Sequence, residues 1–296
     1  MEETAGLGGR CSLVLSRWLR VRYSDRMSAR YDVEGLSVVI MGGTTGLGLS
    51  AAQCLVANGA RVVVTSRSDE NVRSALEVLG ASAVGFAGDA TEASTSEKAV
   101  SMAVETFGRL DALYHVAGGS GRSRGDGPLH ELTDEGCDYT LDLNLKSIML
   151  SNRAAVRRFR EQGGGGTILN MGSVLGWSPS KRYFASHAYA AAKAGIVGFT
   201  KSIAAYYASE NLRANVIAPA LVETPMSKRA CGDEAIQSFV ASKQPLDGGR
   251  VGVPEDVDGA ALFLLSRASG FITGQVIAVD GGWTVSEGQW GSTEEA

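Results

Sequence analysis

From Ser37 onward, short apolar runs alternate with amphipathic stretches through almost the whole of this 296-residue chain. That alternation constrains the fold more than any other feature of the sequence. Ser37–Met41, Arg61–Thr65, Val84–Ala87, Ala112–Val116, Thr167–Met171, Ala214–Ile217 and Gln275–Val279 read as buried strands, four to five residues long and rich in β-branched side chains. Between them lie patterns of helical period at Gly48–Asn58, Asp69–Leu79, Thr133–Phe159, Ala188–Ala208 and Pro254–Ser266. Another helix is carried by Ala99, Val100, Ala103, Val104 and Phe107. Ser68 is placed to cap the second helix, and Ser94 with Glu97 form a capping box for the third. Gly59, Gly80 and Gly108 stand where helices end. No tight hairpin separates the strands, so they are joined by helical crossovers into a parallel sheet covered on both faces.

These signals predict an α/β fold, a doubly wound parallel sheet of about seven strands, as one domain over residues 31–285. Residues 286–296 read as a polar tail. Residues 1–30 differ in character, with six arginines against Glu2, Glu3 and Asp25. They read as a disordered extension, as the product of a start upstream of a true Met27, or as a mitochondrial targeting segment. A cytoplasmic location is the simpler expectation.

Composition matters in two places. Thirty-eight glycines against six prolines call for local turns or close approach of backbone to a ligand, not a fibre or a linker. A formal net charge of −4 supplies no attraction for nucleic acid. No apolar run reaches the ~20 residues of a membrane span. The cysteines and histidines lack metal-ligand spacing, so no metal is expected.

The glycines concentrate after the first strand, in Gly42-Gly43-Thr44-Thr45-Gly46-Leu47-Gly48. A glycine-rich strand-to-helix turn brings backbone N–H groups and a helix N-terminus onto a pyrophosphate, as in Rossmann-type folds. The second strand ends in Thr65-Ser66-Arg67, without the acid that would receive a ribose 2′-hydroxyl. Ser66 and Arg67 suit a 2′-phosphate instead, which favours NADP(H) and leaves NAD(H) as the alternative. Tyr189 and Lys193 lie four apart on one helix face, where an ammonium would draw a phenol pKa of about 10 toward the working range.

Together with Ser173, these motifs resemble the short-chain dehydrogenase/reductase family from about Tyr31 to Trp283. Gly42, Gly46 and Gly48 match its glycine turn. Asp89 with Ala90, Ala117-Gly118, and Pro219 through Thr224 (Val222 and Thr224 among them) match cofactor-contacting segments. Asn144 and Ser173 fall where the family keeps its catalytic asparagine and serine. The resemblance implies hydride exchange between the nicotinamide and a small-molecule carbonyl or secondary alcohol. Tyr189 would act as general acid or base, Lys193 would lower its pKa and hold the ribose, and Ser173 would bind the reacting oxygen. Asn144 would sit at a helix irregularity and support a proton relay. The resemblance leans toward the 3-oxoacyl-(acyl-carrier-protein) reductase-like branch and implies a homodimer or homotetramer, paired through the helices at 133–159 and 188–208. Alternatives are an NAD-linked dehydrogenase working oxidatively and a non-catalytic dinucleotide-binding regulator.

Three departures stand out. Met41 replaces a usual threonine, His115-Val116 a usual Asn-Asn, and Ala220 a usual glycine. The first two are expected to lie close together and compensate, with His115 a packed residue in preference to an extra acid. Met226–Val253 is expected as a lid, and Trp177, Tyr183 and Phe184 as candidates for an apolar cleft.

Overall fold

The computed structural model describes residues 31–288. The expectations for 1–30, and for the tail beyond 288, lie outside the described residues. The strands are β1 (Ser37–Met41), β2 (Arg61–Ser66), β3 (Ala83–Ala87), β4 (Ala112–His115), β5 (Gly166–Met171), β6 (Leu212–Pro219) and β7 (Val276–Val279). They form one seven-stranded sheet in the order β3-β2-β1-β4-β5-β6-β7, with every pair parallel. The helices are α1 (Gly46–Ala57), α2 (Asp69–Leu79), α3 (Ala93–Phe107), α4 (Asp134–Leu141), α5 (Ser147–Gln162), α6 (His187–Tyr207), α7 (Lys228–Cys231), α8 (Glu234–Lys243) and α9 (Glu255–Leu265).

Two apolar layers follow from the strand alternation. Val38, Ile40, Val62 and Val64 face α1, α2 and α9, whereas Val39, Met41 and Val63 face α3, α5 and α6. Both sets are buried, which is why β1 and β2 read as unbroken apolar runs. The chain winds from β1 to β3 on one side and returns to β4 on the other. The crevice above the C-terminal ends of β1 and β4 is therefore the topological switch point, where such sheets bind ligands.

Local signals were met unevenly. The Ser68 hydroxyl accepts from the Asn71 N–H, as capping requires. The Ser94–Glu97 box does not form. Helix α3 begins two residues earlier than such a cap requires, at Ala93, so Ser94 lies inside it, and Glu92 holds the cap position without a side-chain bond. The helix expected over 133–159 is three pieces, because Asp142–Lys146 winds as a wider π-type segment between α4 and α5. The expected lid contains α7 and α8. Ser286, at the start of the expected tail, is held against α8, its hydroxyl donating to the Ser242 carbonyl.

The glycine run 163–166, which carried no evident role in the sequence, has a steric one. Gly163, Gly164 and Gly165 have φ of 69°, 84° and 88°. A Cβ on Gly166 would sit 2.4 Å from the Phe159 ring. Among the described residues no helix is long and apolar enough to cross a membrane.

Candidate active site

The glycine turn forms a cradle closed by backbone. A Cβ on Gly42 would lie 2.7 Å from the Ala117 nitrogen, and one on Gly48 would lie 2.0 Å from the Gly42 carbonyl oxygen. Helix α1 then starts with no side-chain cap and no acid in its first turn. Its free N–H groups and positive dipole end are left facing the crevice, as an anion site requires.

Three connected chambers open there. The first, about 260 Å³, is lined by Gly42, Thr44, Thr45, Gly46, Leu47, Ser66, Arg67, Asp89, Ala90, Ala117, Gly118 and Thr224. Gly43 and Gly48 are the residues of the predicted turn that do not line it, and Gly48 is the one of them expected to contact the cofactor. It is buried beneath the turn and acts through packing. Among the described residues, exposed Arg67 has no carboxylate within ion-pair distance, and Ser66 and Arg67 leave the end of β2 without an acid. These residues fit a dinucleotide, and the basic end of β2 fits an added phosphate.

The middle chamber, about 110 Å³, joins Gly118, Met171, Ser173, Tyr189, Lys193, Pro219, Val222 and Thr224. The outer chamber, about 350 Å³, shares Ser173 and Tyr189 with it. Apolar side chains dominate that outer wall: Val174, Leu175, Phe184, Leu221, Met226 and Trp283. Tyr189 and Ser173 thus stand at the junction between a nucleotide-shaped cleft and an apolar cavity.

Ser173 follows β5, and Tyr189 and Lys193 lie on the first two turns of α6. The Lys193 ammonium donates to the Met171 carbonyl at 2.9 Å and lies 5.4 Å from the centre of the Tyr189 ring. Burial drives its pKa down to about 7. Tyr189 keeps partial exposure to the cleft, yet the protein around its hydroxyl pushes the phenol up to about 12, against a smaller opposing pull from the Ser173 side chain. Lys193 is not among the groups that shift it, so the lowering expected from their spacing does not show in this arrangement.

Asn144 lies in the π-type segment, which realises the expected irregularity, but it lines none of the chambers. Its Nδ2 donates to the carbonyls of Thr140 and Gly119, both at 2.9 Å, and its Oδ1 accepts from the Gly119 N–H at 3.1 Å. The side chain clamps the loop after β4 behind Lys193.

His115 pairs in register with Met41 across β1 and β4, as the joint departure suggested. It is fully buried, with Nδ1 2.6 Å from the Ser151 hydroxyl and Nε2 3.1 Å from the Ala117 carbonyl. A carbonyl can only accept, so Nε2 carries the proton and Nδ1 accepts from Ser151. Burial, helped by nearby Lys193, holds its pKa down to about 3. It is a packed neutral histidine and lines no chamber.

Of the aromatic candidates, Phe184 lines the outer cavity and Tyr183 packs against Phe239, with ring centres 5.2 Å apart. Trp177 is exposed and does neither. Trp283, Leu221, Ser120, Arg122 and Arg229 also line this wall. Leu221 falls in the Pro219–Thr224 segment and Arg229 in the expected lid, whereas Trp283 comes from a separate loop and carried no signal of its own.

Comparison with known proteins agrees with this geometry. A family model described as enoyl-(acyl carrier protein) reductase matches residues 42–284. Dehydrogenase/reductase SDR family member 4 of Homo sapiens is 32% identical over 282 residues, covering 94% of this chain and 97% of that one. The 3-oxoacyl-(acyl-carrier-protein) reductase FabG of Vibrio cholerae serotype O1 is 32% identical over 252 residues, covering 85% and 98%. A solved short-chain type dehydrogenase/reductase from Mycobacterium ulcerans superposes with a TM-score of 0.78 at 31% identity, covering 86% of this chain and 91% of that one. The chain belongs to the short-chain dehydrogenase/reductase family and is a nicotinamide-dependent oxidoreductase of that type.

Proposed function

We propose that the protein is an NADP-dependent carbonyl reductase acting on a small ketone with an apolar body. The observation that carries this reading is the placement of Tyr189 and Ser173 where the middle chamber, beside the nucleotide chamber, opens into the apolar outer one. The nucleotide chamber ends at Ser66 and Arg67, which supports a 2′-phosphate. The apolar outer chamber supports an apolar substrate.

When bound, the nicotinamide supplies the hydride. The chain supplies the proton and the positioning. The Ser173 hydroxyl donates a hydrogen bond to the carbonyl oxygen and stabilises charge developing there. Tyr189, protonated throughout the neutral range, delivers its phenolic proton to that oxygen. Lys193 holds the ribose hydroxyls from the floor of the middle chamber, and Asn144 keeps the floor in place. A raised pKa keeps the phenol in its protonated form at neutral pH, the form that reduction of a carbonyl starts from.

The FabG-like branch remains our preferred placement within the family. Pairing into dimers or tetramers through α4–α5 and α6 is part of the same reading, with Tyr206 exposed on α6 as a contact residue.

The test is a panel of carbonyl substrates scored by NADPH consumption, with NADPH and NADH affinities measured beside it. NADPH should bind the more tightly, and Arg67→Ala should weaken it by roughly tenfold or more while leaving NADH unchanged. Unchanged NADPH affinity in Arg67→Ala would sink the phosphate argument.

A further inference from the structure

The loop between β4 and α4 carries a buried aspartate that the chemistry above does not use. Asp126 is 3% exposed. Its two carboxylate oxygens accept from the backbone N–H groups of Ala188 and Tyr189, each at 3.1 Å. The neighbouring Gly127 carbonyl accepts from the His187 N–H at 3.2 Å. Three successive donors in the first turn of α6 are therefore satisfied by a segment about sixty residues earlier in the chain. Ser186, the local cap position, makes no side-chain cap, and no acid lies in that turn. The start of the helix that bears Tyr189 is set from outside the helix.

The same loop is fixed on its other side. The Asp126 N–H donates to the Gly121 carbonyl at 3.0 Å, and the Thr133 N–H donates to Gly125 at 3.1 Å. Gly121 sits so close to α4 that a Cβ there would lie 1.8 Å from the Thr140 hydroxyl. Arg122 and Ser123, between these anchors, and Ser120 just before them line the outer chamber. One carboxylate thus joins the helix carrying Tyr189 to a wall of the substrate cavity.

We propose that Asp126 is a positioning residue for the reaction, holding the backbone of Tyr189 so that its hydroxyl meets both the Ser173 side and the outer chamber. This rests on Tyr189 being the proton-transfer group. A carboxylate satisfies two N–H donors at once, whereas an amide satisfies one and turns its NH2 toward the other. The asparagine variant therefore keeps part of the function, and alanine keeps none.

The experiment compares kcat, KM, NADPH Kd and melting temperature for the full chain and for Asp126→Ala, Asp126→Asn and Tyr189→Phe. Asp126→Ala should lower kcat by roughly 10- to 100-fold, the scale on which small misplacement of a reacting group acts. NADPH Kd should stay within about twofold, because the nucleotide chamber is built elsewhere. Asp126→Asn should recover part of kcat, and it carries the test if the alanine variant does not fold. Wild-type kcat per NADPH-binding site in either variant, with Tyr189→Phe inactive, would overturn the proposal alone. A lowered melting temperature with unchanged kcat would do the same, since a purely structural cap acts that way. Wild-type turnover in Tyr189→Phe would instead overturn the reading beneath it.

Discussion

The nucleotide chamber and the outer chamber are linked through the middle chamber that holds Tyr189 and Ser173, yet they are built by opposite means. The nucleotide chamber is largely backbone. Its walls are the turn from Gly42 to Leu47 and the ends of β2, β3 and β4, and its tolerances are set by absent side chains. The outer chamber is mostly side chain. Phe184, Trp283, and Leu221 with Met226 reach it from three different segments, behind a layer in which Phe239 packs edge-on against Trp283 with ring centres 5.6 Å apart. A backbone site binds a fixed, chemically constant group and tolerates almost no substitution at its glycines. A side-chain site can be reshaped one residue at a time without disturbing the fold.

The contrast can be broken first at Gly48. A Cβ there collides with main chain, at 2.0 Å from the Gly42 oxygen and 3.1 Å from the Gly43 Cα, so no rotamer change relieves it. Gly48→Ala should push α1 off β1, weaken dinucleotide binding by ~100-fold or more and lower stability by about 3 kcal/mol. Fluorescence titration with NADPH and a thermal melt would show both, and wild-type affinity would contradict the packing argument. The matching change in the outer chamber should act on one term only. Phe184→Ala removes an aromatic wall and should raise KM for an apolar ketone by roughly tenfold, while NADPH Kd stays put. A change in NADPH Kd would mean that the two chambers are not separable.

The smallest effect on turnover concerns buried His115, which lines none of the chambers. His115 titrates near 6.5 in the unfolded chain and only near 3 when folded. The unfolded state therefore takes up the proton first, and folding stability present above about pH 6.5 is lost as pH falls toward 3. His115→Asn should flatten that part of the stability-versus-pH curve, read by denaturant unfolding at stepped pH, with little change in kcat. An unchanged slope would assign the acid sensitivity to other groups.

The same contrast explains which parts of the molecule are legible in the sequence. The sheet was legible because strands buried on both faces leave continuous apolar runs, and strand ends shifted by only one or two residues. The nucleotide chamber was legible because backbone recognition needs glycines at fixed spacing, and Tyr189 with Lys193 because one helix sets their separation. Asp126 was hidden, since its partners at 188 and 189 are distant in sequence and the local cap position, Ser186, is not used. The outer wall was hidden because Trp283 and Phe184 meet only through the fold. The burial of Tyr189 and Lys193 was hidden too, because spacing shows that the two are neighbours but not how deeply they lie.

The central claim is that the two chambers serve a single proton-transfer group between them. It is tested most directly by Tyr189→Phe, assayed for NADPH binding by fluorescence and for NADPH consumption with a ketone substrate. Tight NADPH binding with turnover reduced by at least about a thousandfold is the predicted result. Turnover close to that of the unaltered enzyme, with cofactor bound, would contradict the account.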